Sequence, residues 1–380
     1  MRPRDPLGPW RLPIPLACML ILAPAIMAEE PKQTPAEKFK ALDANGDGKI
    51  SRAEWKEDGD LFSAMDGDKD GFITQEEARA YLKARSGKGG SKKEKRPLPD
   101  GVVCERDVVY KKAGGADLAL DLYRRKDRAA DAAPLLVFIH GGGFVAGNKD
   151  AVRLANGPAA QLLDRGWAVA SLDYRLCREG GPRLVDCIVD CKDALRYLVK
   201  NAASLKIDTA RIAVWGTSAG ASLSLLLGLT GDADFPGDPA LAGVSTPVRC
   251  SVSWFGVTDF TRLELFKDRT RGDEPLTKAA VLFATKPDAA DLSEYARCSP
   301  VKYLAKDSRP ILLAHGDKDP VVPFVQSEWM EKRCKELGAP CEFVRVANAA
   351  HGFKKEGGTV EPSHEEIDAK TAAFLLKNTP

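Results

Sequence analysis

A serine placed for nucleophilic chemistry is the most informative feature of the sequence. Ser218 is the centre of Gly216-Thr217-Ser218-Ala219-Gly220, which follows the apolar run 211–215 and precedes the helix-forming run 221–227. A strand, a glycine-flanked turn and a helix hold a serine hydroxyl out at the top of a parallel sheet. The glycines are needed because this turn brings neighbouring backbones too close for a Cβ. Ser218 is therefore predicted to be a nucleophile, although such a pentapeptide also occurs by chance.

A glycine run upstream supplies the second part of this chemistry. The apolar run 134–139 reads as a buried strand and continues into His140-Gly141-Gly142-Gly143-Phe144. Acyl transfer builds negative charge on a carbonyl oxygen, and fixed backbone N–H groups stabilise that charge in a dry site. We expect the amides of Gly142, Gly143 and Ala219 to form this oxyanion hole. The histidine of the run precedes the serine and is interpreted as bracing the loop.

The base that takes the serine proton must be one of four histidines. His351 follows the last apolar strand pattern and lies in a Gly-Phe loop, which is the position that the chemistry requires. His364 lies in a charged segment that reads as an exposed helix. His315 ends a buried strand, where histidines usually form structural hydrogen bonds. We therefore predict His351 as the base.

The carboxylate that orients this base has three candidates. Asp319 begins an Asp-Pro-x-Val-Pro turn and is preferred over Asp317, which lies nearer the end of the strand. Asp259 follows another apolar strand and is the third candidate. Open α/β sheets place their sites at the carboxyl ends of strands, so all three lie in the expected region. With Asp319, the chain order is Ser, Asp, His, as in the α/β-hydrolase triad.

From about Val102 to its end, the chain resembles the α/β-hydrolase superfamily. Within it, the chain is similar to HGGG-bearing esterases, especially bacterial feruloyl and acetyl-xylan esterase-like proteins. The resemblance implies the nucleophile, base, acid and oxyanion amides named above, and it implies acyl groups on polysaccharide as substrates. It departs at Cys177 and Ala221, which leaves the subfamily open. The matching stretches are 136–144, 170–176, 193–198, 207–208, 211–220 and 315–323.

Two acidic loops near the N-terminus have the residue pattern of a metal-binding site. Residues 43–54 and 66–77 each place oxygen donors at positions 1, 3, 5, 9 and 12 of a twelve-residue loop, with glycine at position 6. This is the EF-hand pattern, in which position 7 adds a backbone carbonyl and the last glutamate binds Ca²⁺ with both oxygens. Ile50 and Ile73 are expected to pair as a short ladder between the loops. The predicted calcium ligands are Asp43, Asn45, Asp47, Lys49, Ser51, Glu54, Asp66, Asp68, Asp70, Phe72, Thr74 and Glu77.

The remaining sequence divides the chain into four parts. Residues 1–28 combine arginines, a short apolar stretch and Ala28, which predicts a secretory signal peptide and a secreted or periplasmic protein. The context of Cys18 is a poor lipobox, so no lipid anchor is expected, and no segment predicts a membrane span. The EF-hand pair occupies 35–84. A flexible basic linker follows at 85–100, and the catalytic domain at 101–380.

The catalytic domain is predicted to have the α/β-hydrolase fold, preceded by a small α-helical EF-hand domain. Strand and helix patterns alternate, which favours a mostly parallel sheet flanked by helices. Besides the nucleophile strand and its helix, the predicted helices are 184–201 and 364–377. Residues 261–296 fall where such hydrolases often carry a lid. The other predicted strands are 102–110, 118–123, 135–140, 168–174, 248–257, 311–315 and 342–347.

Charge and cysteine content exclude several other functions. The net charge of +2 indicates no polyelectrolyte partner, and the short basic linker lacks aromatic residues, so nucleic acid is not an expected partner. Of nine cysteines, eight remain after signal cleavage, an even number in an oxidising compartment. Cys334 and Cys341 are the expected disulfide pair. No C-x-x-C motifs indicate a metal cluster, and no catalytic cofactor is expected.

Three hypotheses about function follow. The first is a secreted serine carboxylesterase that cleaves short acyl or aryl esters, with acetyl or feruloyl groups on polysaccharide implied by the resemblance alone. The second is a serine peptidase or formamidase on the same fold. The third is a calcium-dependent binding protein with an inert hydrolase scaffold, and the intact Ser218, Asp319 and His351 count against it. Compact EF-hand spacing also resembles dockerin modules, so the EF-hand domain could bind a docking partner.

Overall fold

The computed structural model describes residues 39–40, 42–55, 62, 65–86, 97–128, 132–262, 281–283 and 291–380. The chain divides into two compact units, Met1–Arg96 and Pro97–Pro380. The predicted signal peptide at 1–28, most of the predicted linker and most of the predicted lid lie outside the described residues. None of the helices within the described ranges combines the length and the apolar character needed to cross a membrane.

The first unit is built around the two acidic loops. Strand β1 (Lys49–Ser51) pairs antiparallel with β2 (Phe72–Thr74), and helix α1 (Gln75–Ser86) follows directly. Ile50 lies opposite Ile73, and both side chains are buried. The predicted ladder between the loops is therefore confirmed. Around it, the small apolar core of this unit consists of Phe39, Ile50, Phe62, Ile73 and Ala78.

The second unit contains an eight-stranded sheet in the order β10-β9-β8-β7-β5-β6-β4-β3. Neighbouring strands are parallel from β10 to β6, whereas β4 is antiparallel to both β6 and β3. Parallel strands bring their carboxyl ends to one edge, and the loops that leave this edge carry the predicted site residues. The strands are β3 (Val102–Ala113), β4 (Ala116–Arg125), β5 (Ala133–Ile139), β6 (Ala168–Leu172), β7 (Ile207–Thr217), β8 (Val248–Trp254), β9 (Ile311–Gly316) and β10 (Cys341–Val346).

Helices cover both faces of this sheet and bury its apolar side chains. Helices α3 and α4 pack on one face and α2 and α7 on the other, which gives two separate core layers. Helix α7 begins at a capping box in which Ser363 and Glu366 bind each other's backbone N–H groups. The helices are α2 (Pro158–Leu163), α3 (Leu184–Lys200), α4 (Ala219–Leu229), α5 (Ser293–Arg297), α6 (Val325–Leu337) and α7 (His364–Asn378).

The predicted fold class is confirmed, and the cysteines provide the main correction. The eight cysteines from Cys104 to Cys341 are free thiols in the structure, so the expected disulfide between Cys334 and Cys341 is not formed. Those two thiols nevertheless lie so close together that Cys341 lowers the pKa of Cys334 and Cys334 raises the pKa of Cys341. A second thiol contact, 3.4 Å between the Sγ atoms of Cys177 and Cys187, was not predicted.

Candidate active site

The turn between β7 and α4 holds Ser218 in a strained conformation. Its φ of 53° and ψ of −120° lie outside the regions that most residues adopt, and it is the N-cap of α4. Its N–H donates to the carbonyl of Trp254 at 2.9 Å, which ties the turn to the end of β8. A Cβ on Gly216 would collide with the carbonyl of Gly220, which explains why this turn requires glycine. The turn therefore presents the hydroxyl at the carboxyl edge of the sheet.

His351 joins the serine to a carboxylate. Its Nε2 lies 3.0 Å from Ser218 Oγ, and its Nδ1 lies 2.7 Å from Asp319 Oδ2. The imidazole belongs to the turn His351–Phe353 that follows β10, and the ring of Phe255 packs edge-on against it at 4.8 Å. The serine and the histidine are 133 residues apart in sequence. The structure thus brings together the three residues that the sequence predicted as nucleophile, base and acid.

Asp319 is buried and accepts hydrogen bonds on both carboxylate oxygens. The N–H groups of Val321 and Val322 donate to Oδ1 at 2.8 and 2.9 Å, while His351 and His315 lie at 2.7 and 3.3 Å from Oδ2. Burial opposes ionisation, but hydrogen bonds from His315 and His351 outweigh it and hold the pKa of Asp319 well below its usual range. The acid is therefore an anion at neutral pH.

The two alternative acids lie elsewhere. Asp317 accepts a long hydrogen bond from the N–H of Ala349, at 3.4 Å. Asp259 accepts from the N–H and hydroxyl of Thr261. Asp259 thus holds its own loop, Asp317 joins the loop after β9 to the loop after β10, and only Asp319 of the three is bonded to the candidate base. The fourth histidine, His364, is exposed at the start of α7, as the sequence indicated.

The glycine loop after β5 packs directly on the nucleophile. A Cβ built on Gly141 would lie 3.1 Å from the Cβ of Ser218, so this loop and the serine turn touch. Gly142 and Gly143 have φ values of 119° and 60°, which favour glycine. Ala219 is the first residue of α4, so its N–H has no acceptor within the helix. The three predicted oxyanion residues therefore lie in the glycine loop and at the start of α4, on either side of the serine turn.

His140 braces this loop. It is buried, its Nδ1 lies 2.7 Å from the carbonyl of Gly141, and its ring stacks on Tyr174 with centroids 4.3 Å apart. The Tyr174 hydroxyl in turn donates to the carbonyl of His140 at 3.0 Å. Burial lowers the pKa of His140 to about 4, so the imidazole is neutral at physiological pH. Its position agrees with a supporting role rather than that of the base.

A buried lysine anchors the far end of the same loop, and sequence reasoning did not find it. The ammonium group of Lys149 lies 2.7 Å from Asp107 and 3.2 Å from the fully buried Asp121. Its backbone N–H donates to Asp173 at 2.7 Å. Nearby aspartates raise its pKa in spite of burial, so it remains a cation. No local pattern could have revealed it, because its partners come from β3, β4 and the end of β6.

The acidic loops of the first unit fit a calcium ion. One carboxylate oxygen each from Asp66, Asp68 and Asp70 lie within 4.8 Å of one another. Asp66 Oδ1 is buried and has no hydrogen-bond partner, which leaves an oxygen available for a cation. Glu77, at position 12, folds back on the loop and accepts from the N–H of Gly67 at 2.9 Å. This oxygen-rich donor set suits a hard cation such as Ca²⁺.

The first loop repeats this arrangement with one difference. Glu54 accepts from the N–H of Asn45 and of Ser51, at 3.1 and 2.8 Å, as its counterpart does in the second loop. Position 3 is an asparagine rather than an aspartate, so the loop carries one carboxylate fewer. The N–H and hydroxyl of Ser51 lower the pKa of Glu54, which keeps it ionised at neutral pH. Both loops can thus supply carboxylates to a cation.

Taken together, the second unit holds a serine, an imidazole, a carboxylate and a glycine loop in the relation required for acyl transfer. Comparison with known proteins agrees with this arrangement. Residues 120–334 match the BD-FAE family model, and residues 36–57 and 59–80 each match an EF-hand model. The first match covers more than half of the chain. The chain belongs to the BD-FAE family.

Curated relatives of this BD-FAE protein include carboxylic ester hydrolases. It is 30% identical over 314 residues to a probable carboxylic ester hydrolase, LipM of Mycobacterium tuberculosis, with 80% of this chain and 69% of that protein covered. It is 29% identical to the esterase LipQ of the same organism, with 65% of this chain and 56% of LipQ covered. The chain thus spans between about half and two thirds of these relatives. They place it in the class of carboxylic ester hydrolases.

Solved structures agree on the fold of this BD-FAE protein. A truncated carbohydrate esterase from gut microbiota matches with a TM-score of 0.61 and 24% identity, covering 74% of this chain and 99% of that one. A thermophilic esterase from Thermogutta terrifontis, solved with butyrate bound, matches with a TM-score of 0.57 and 26% identity, covering 73% and 94%. The α/β-hydrolase fold of the second unit is therefore shared with known esterases.

Proposed function

We propose that this protein is an exported serine carboxylesterase that cleaves short acyl or aryl esters, such as acetyl or feruloyl groups on polysaccharide, through an acyl-enzyme. The observation that carries the proposal is His351, whose two ring nitrogens lie at hydrogen-bond distance from Ser218 Oγ and Asp319 Oδ2. A carboxylate accepts only, so Nδ1 must carry a proton toward Asp319. The Nε2 lone pair then faces the serine hydroxyl, as a general base requires.

Acylation begins when Ser218 Oγ attacks the ester carbonyl carbon. His351 Nε2 takes the hydroxyl proton as the new C–O bond forms, and the negative charge that develops on the carbonyl oxygen is met by the amides of Gly142, Gly143 and Ala219. When the tetrahedral intermediate collapses, the bond to the alcohol breaks. The imidazolium gives its proton to the leaving alcohol, and the acyl group remains on the serine.

Deacylation repeats these steps with water as the nucleophile. His351 Nε2 takes a proton from water, whose oxygen attacks the acyl carbon, and the same amides meet the charge. The bond to Ser218 Oγ then breaks, and the imidazolium returns its proton to the serine. Throughout both halves, the anionic Asp319 stabilises the imidazolium that forms beside it. The products are a carboxylic acid and an alcohol, and no cofactor takes part in a step.

Ester rather than amide cleavage is favoured by the relatives, which are named esterases and ester hydrolases. A short acyl group is favoured by the Thermogutta terrifontis esterase structures with bound propionate and butyrate, at 25% and 26% identity. The polysaccharide part rests on the sequence resemblance described above. Export rests on the signal-peptide pattern of residues 1–28.

We further propose that the EF-hand pair binds two Ca²⁺ ions, one in each loop, which stabilise the first unit or prepare it for docking to a partner. The carboxylates Asp43, Asp47 and Glu54 would serve the first ion, and Asp66, Asp68, Asp70 and Glu77 the second. Oxygens of this kind hold Ca²⁺ at six to eight positions. None of the oxyanion amides or triad residues belongs to these loops, so the ions have no part in the ester chemistry.

The proposal is tested with a panel of acetyl, butyryl, long-chain and feruloyl esters beside peptide and formyl-amide substrates. We expect turnover of short acyl or aryl esters, and we expect Ser218→Ala to lower it by on the order of a thousandfold or more while the fold is retained. The exposed serine variant Ser204→Ala is the matched control. Mass spectrometry after brief exposure to an activated acetyl ester should find the acetyl group on Ser218. Near-normal turnover by Ser218→Ala would refute the mechanism.

A further inference from the structure

A second histidine lies in contact with the catalytic acid and has no part in the mechanism above. His315, the penultimate residue of β9, is fully buried, and its Nε2 lies 3.3 Å from Asp319 Oδ2. The same Nε2 lies 3.0 Å from the carbonyl of Val322. Its Nδ1 lies 2.7 Å from the hydroxyl of Ser327 in α6. Both ring nitrogens are therefore engaged, and one reaches the oxygen that binds His351.

These partners determine which nitrogen carries the proton. A backbone carbonyl can only accept a hydrogen bond, so Nε2 of His315 must be the N–H nitrogen. That proton faces the Val322 carbonyl, and the same nitrogen lies 3.3 Å from Asp319 Oδ2. In the neutral ring, Nδ1 is then an acceptor for the Ser327 hydroxyl, which fixes the ring against a flip. The edge-on contact with Phe324, at 5.7 Å between centroids, holds the ring from the side.

The two carboxylate oxygens of Asp319 face different groups. Oδ1 is bound by the backbone amides of Val321 and Val322, which hold the carboxylate to its own turn. Oδ2 faces the two imidazoles, with His351 at 2.7 Å and His315 at 3.3 Å. A buried carboxylate oxygen that lacks a donor on one side is destabilised, and the carboxylate can then rotate or take up a proton. Either change would weaken its hydrogen bond with His351. The second imidazole occupies the remaining site on Oδ2.

We infer that His315 is a positioning residue for catalysis: its Nε2–H holds Asp319 Oδ2 in line with Nδ1 of His351. The inference rests on the proposed function, because it assigns His315 to the same triad. An N–H group is attracted more strongly to a carboxylate than to a neutral acceptor, so a contact of 3.3 Å in a buried site can still orient the carboxylate. His315 touches neither substrate nor reacting atoms, and it acts through Asp319 alone.

Two substitutions of His315 separate positioning from packing. His315→Leu removes the N–H that faces Asp319, whereas His315→Gln keeps an N–H donor at about the distance of Nε2. We expect His315→Leu to lower kcat about ten- to a hundredfold with KM within about twofold, as for the loss of a hydrogen bond to a charged group. We expect His315→Gln to recover kcat to within about fivefold of the wild type. Ser327→Ala frees the imidazole ring of His315 to rotate, so it should lower kcat a few-fold without changing the melting temperature.

Leu313→Ala is the control for stability, because Leu313 is buried two residues earlier in β9 and belongs to a separate apolar cluster. It should lower the melting temperature without lowering kcat. A wild-type kcat in a folded His315→Leu enzyme, or equal losses in the leucine and glutamine variants, would overturn the inference. If His315→Leu does not fold, Ser327→Ala and His315→Gln decide, since a rise in KM alone in both would equally overturn it.

A spectroscopic measurement makes the test independent of turnover. The proton between His351 Nδ1 and Asp319 should give a far-downfield NMR resonance, which Asp319→Asn would remove. In His315→Leu, this resonance should move or broaden because Oδ2 is no longer held in line. An unchanged resonance would overturn the inference even if the wild type hydrolysed no ester. The converse outcome is a wild type that hydrolyses no ester and a resonance that still shifts in His315→Leu. That result would refute the proposed function and leave the inference standing.

Discussion

The two units assemble their polar sites in opposite ways. In the first unit, the seven carboxylates of the proposed calcium sites come from two twelve-residue loops. Asp66 is buried, Asp43, Glu54 and Glu77 are half-buried, and the other three are exposed. In the second unit, Ser218, Asp319 and His351 come from three separate loops, and the carboxylate is buried. The proposed calcium sites are built from residues close together in sequence and partly open to solvent. The triad joins residues far apart in sequence and contains a buried carboxylate.

This difference decides how charge behaves at each site. An exposed carboxylate is screened by water and needs only a flexible loop to meet a cation. A buried one must be satisfied by fixed donors, and Asp319 has two backbone amides and two imidazoles for this purpose. Substitutions of buried charged or polar groups in the second unit should therefore lower turnover or stability far more than changes in the exposed loops. The following predictions test that contrast, beginning with the largest expected effect.

Asp319→Asn should lower turnover by on the order of a thousandfold or more, because an amide can donate to His351 Nδ1 and so stabilise the wrong tautomer. Asp317→Asn, two residues earlier, should stay within a few-fold of the wild type, since its carboxylate is bonded to Ala349 and not to the base. Steady-state kinetics on one ester measures both. The reverse ranking would move the acid to Asp317.

Lys149→Met should lower the free energy of unfolding of the second unit by about 3 kcal/mol, because it leaves the fully buried Asp121 with one cation fewer. The matched control is Lys112→Met, which breaks an exposed pair with Asp117 and should cost less than about 1 kcal/mol. Denaturant unfolding measures both values. Equal costs would show that burial does not separate the two ion pairs.

The buried His140 should make the stability of the second unit depend on pH. Burial lowers its folded-state pKa to about 4, below the unfolded value of 6.5, so the unfolded chain binds more protons between these values. Its contribution is complete above pH 6.5 and is lost as pH falls toward 4, by up to about 3 kcal/mol. His140→Gln should flatten this part of the profile. Denaturant unfolding at pH 7 and pH 4.5 provides the comparison.

Chelation of calcium should have the smallest effect on catalysis. Removing the ions should lower the melting temperature of the first unit, because bound ligand stabilises only the folded state. Ester turnover should stay within a few-fold of its value with calcium, since no triad or oxyanion residue lies in the loops. Glu77→Gln should weaken one of two binding events in calorimetry. Loss of turnover on chelation, restored by calcium, would show that the two sites are coupled.

The predictability of each site follows from the same contrast. The two EF-hand loops could be predicted from the sequence, because their geometry is set by glycine and oxygen donors at fixed local spacing. The pairing of Ile50 with Ile73 was correct in register. The strand and helix pattern of the second unit was also predictable from apolar runs. The serine turn and the glycine loop were predictable because a strained turn requires glycine at particular positions.

Several contacts that depend on tertiary packing were beyond prediction from the sequence. The sequence ranked Asp319 above Asp317 and Asp259, but only the packing of β9 against β10 brought its carboxylate to His351. The disulfide expected between Cys334 and Cys341 failed because short spacing predicts proximity and not a covalent bond. The Lys149 ion pairs join distant strands and were not predicted. The contact between His315 and Asp319, which are four residues apart, was not predicted either.

The sequence by itself determined the order of elements, the local loops and the residue types that could perform ester chemistry. Local backbone constraints, such as glycine at positive φ, depend on neighbouring residues and can be predicted from the local sequence. The tertiary structure decided which carboxylate meets the base, which groups are buried and so which pKa values shift. Those outcomes depend on packing between distant segments, because desolvation and hydrogen bonds arise only when the folded chain excludes water.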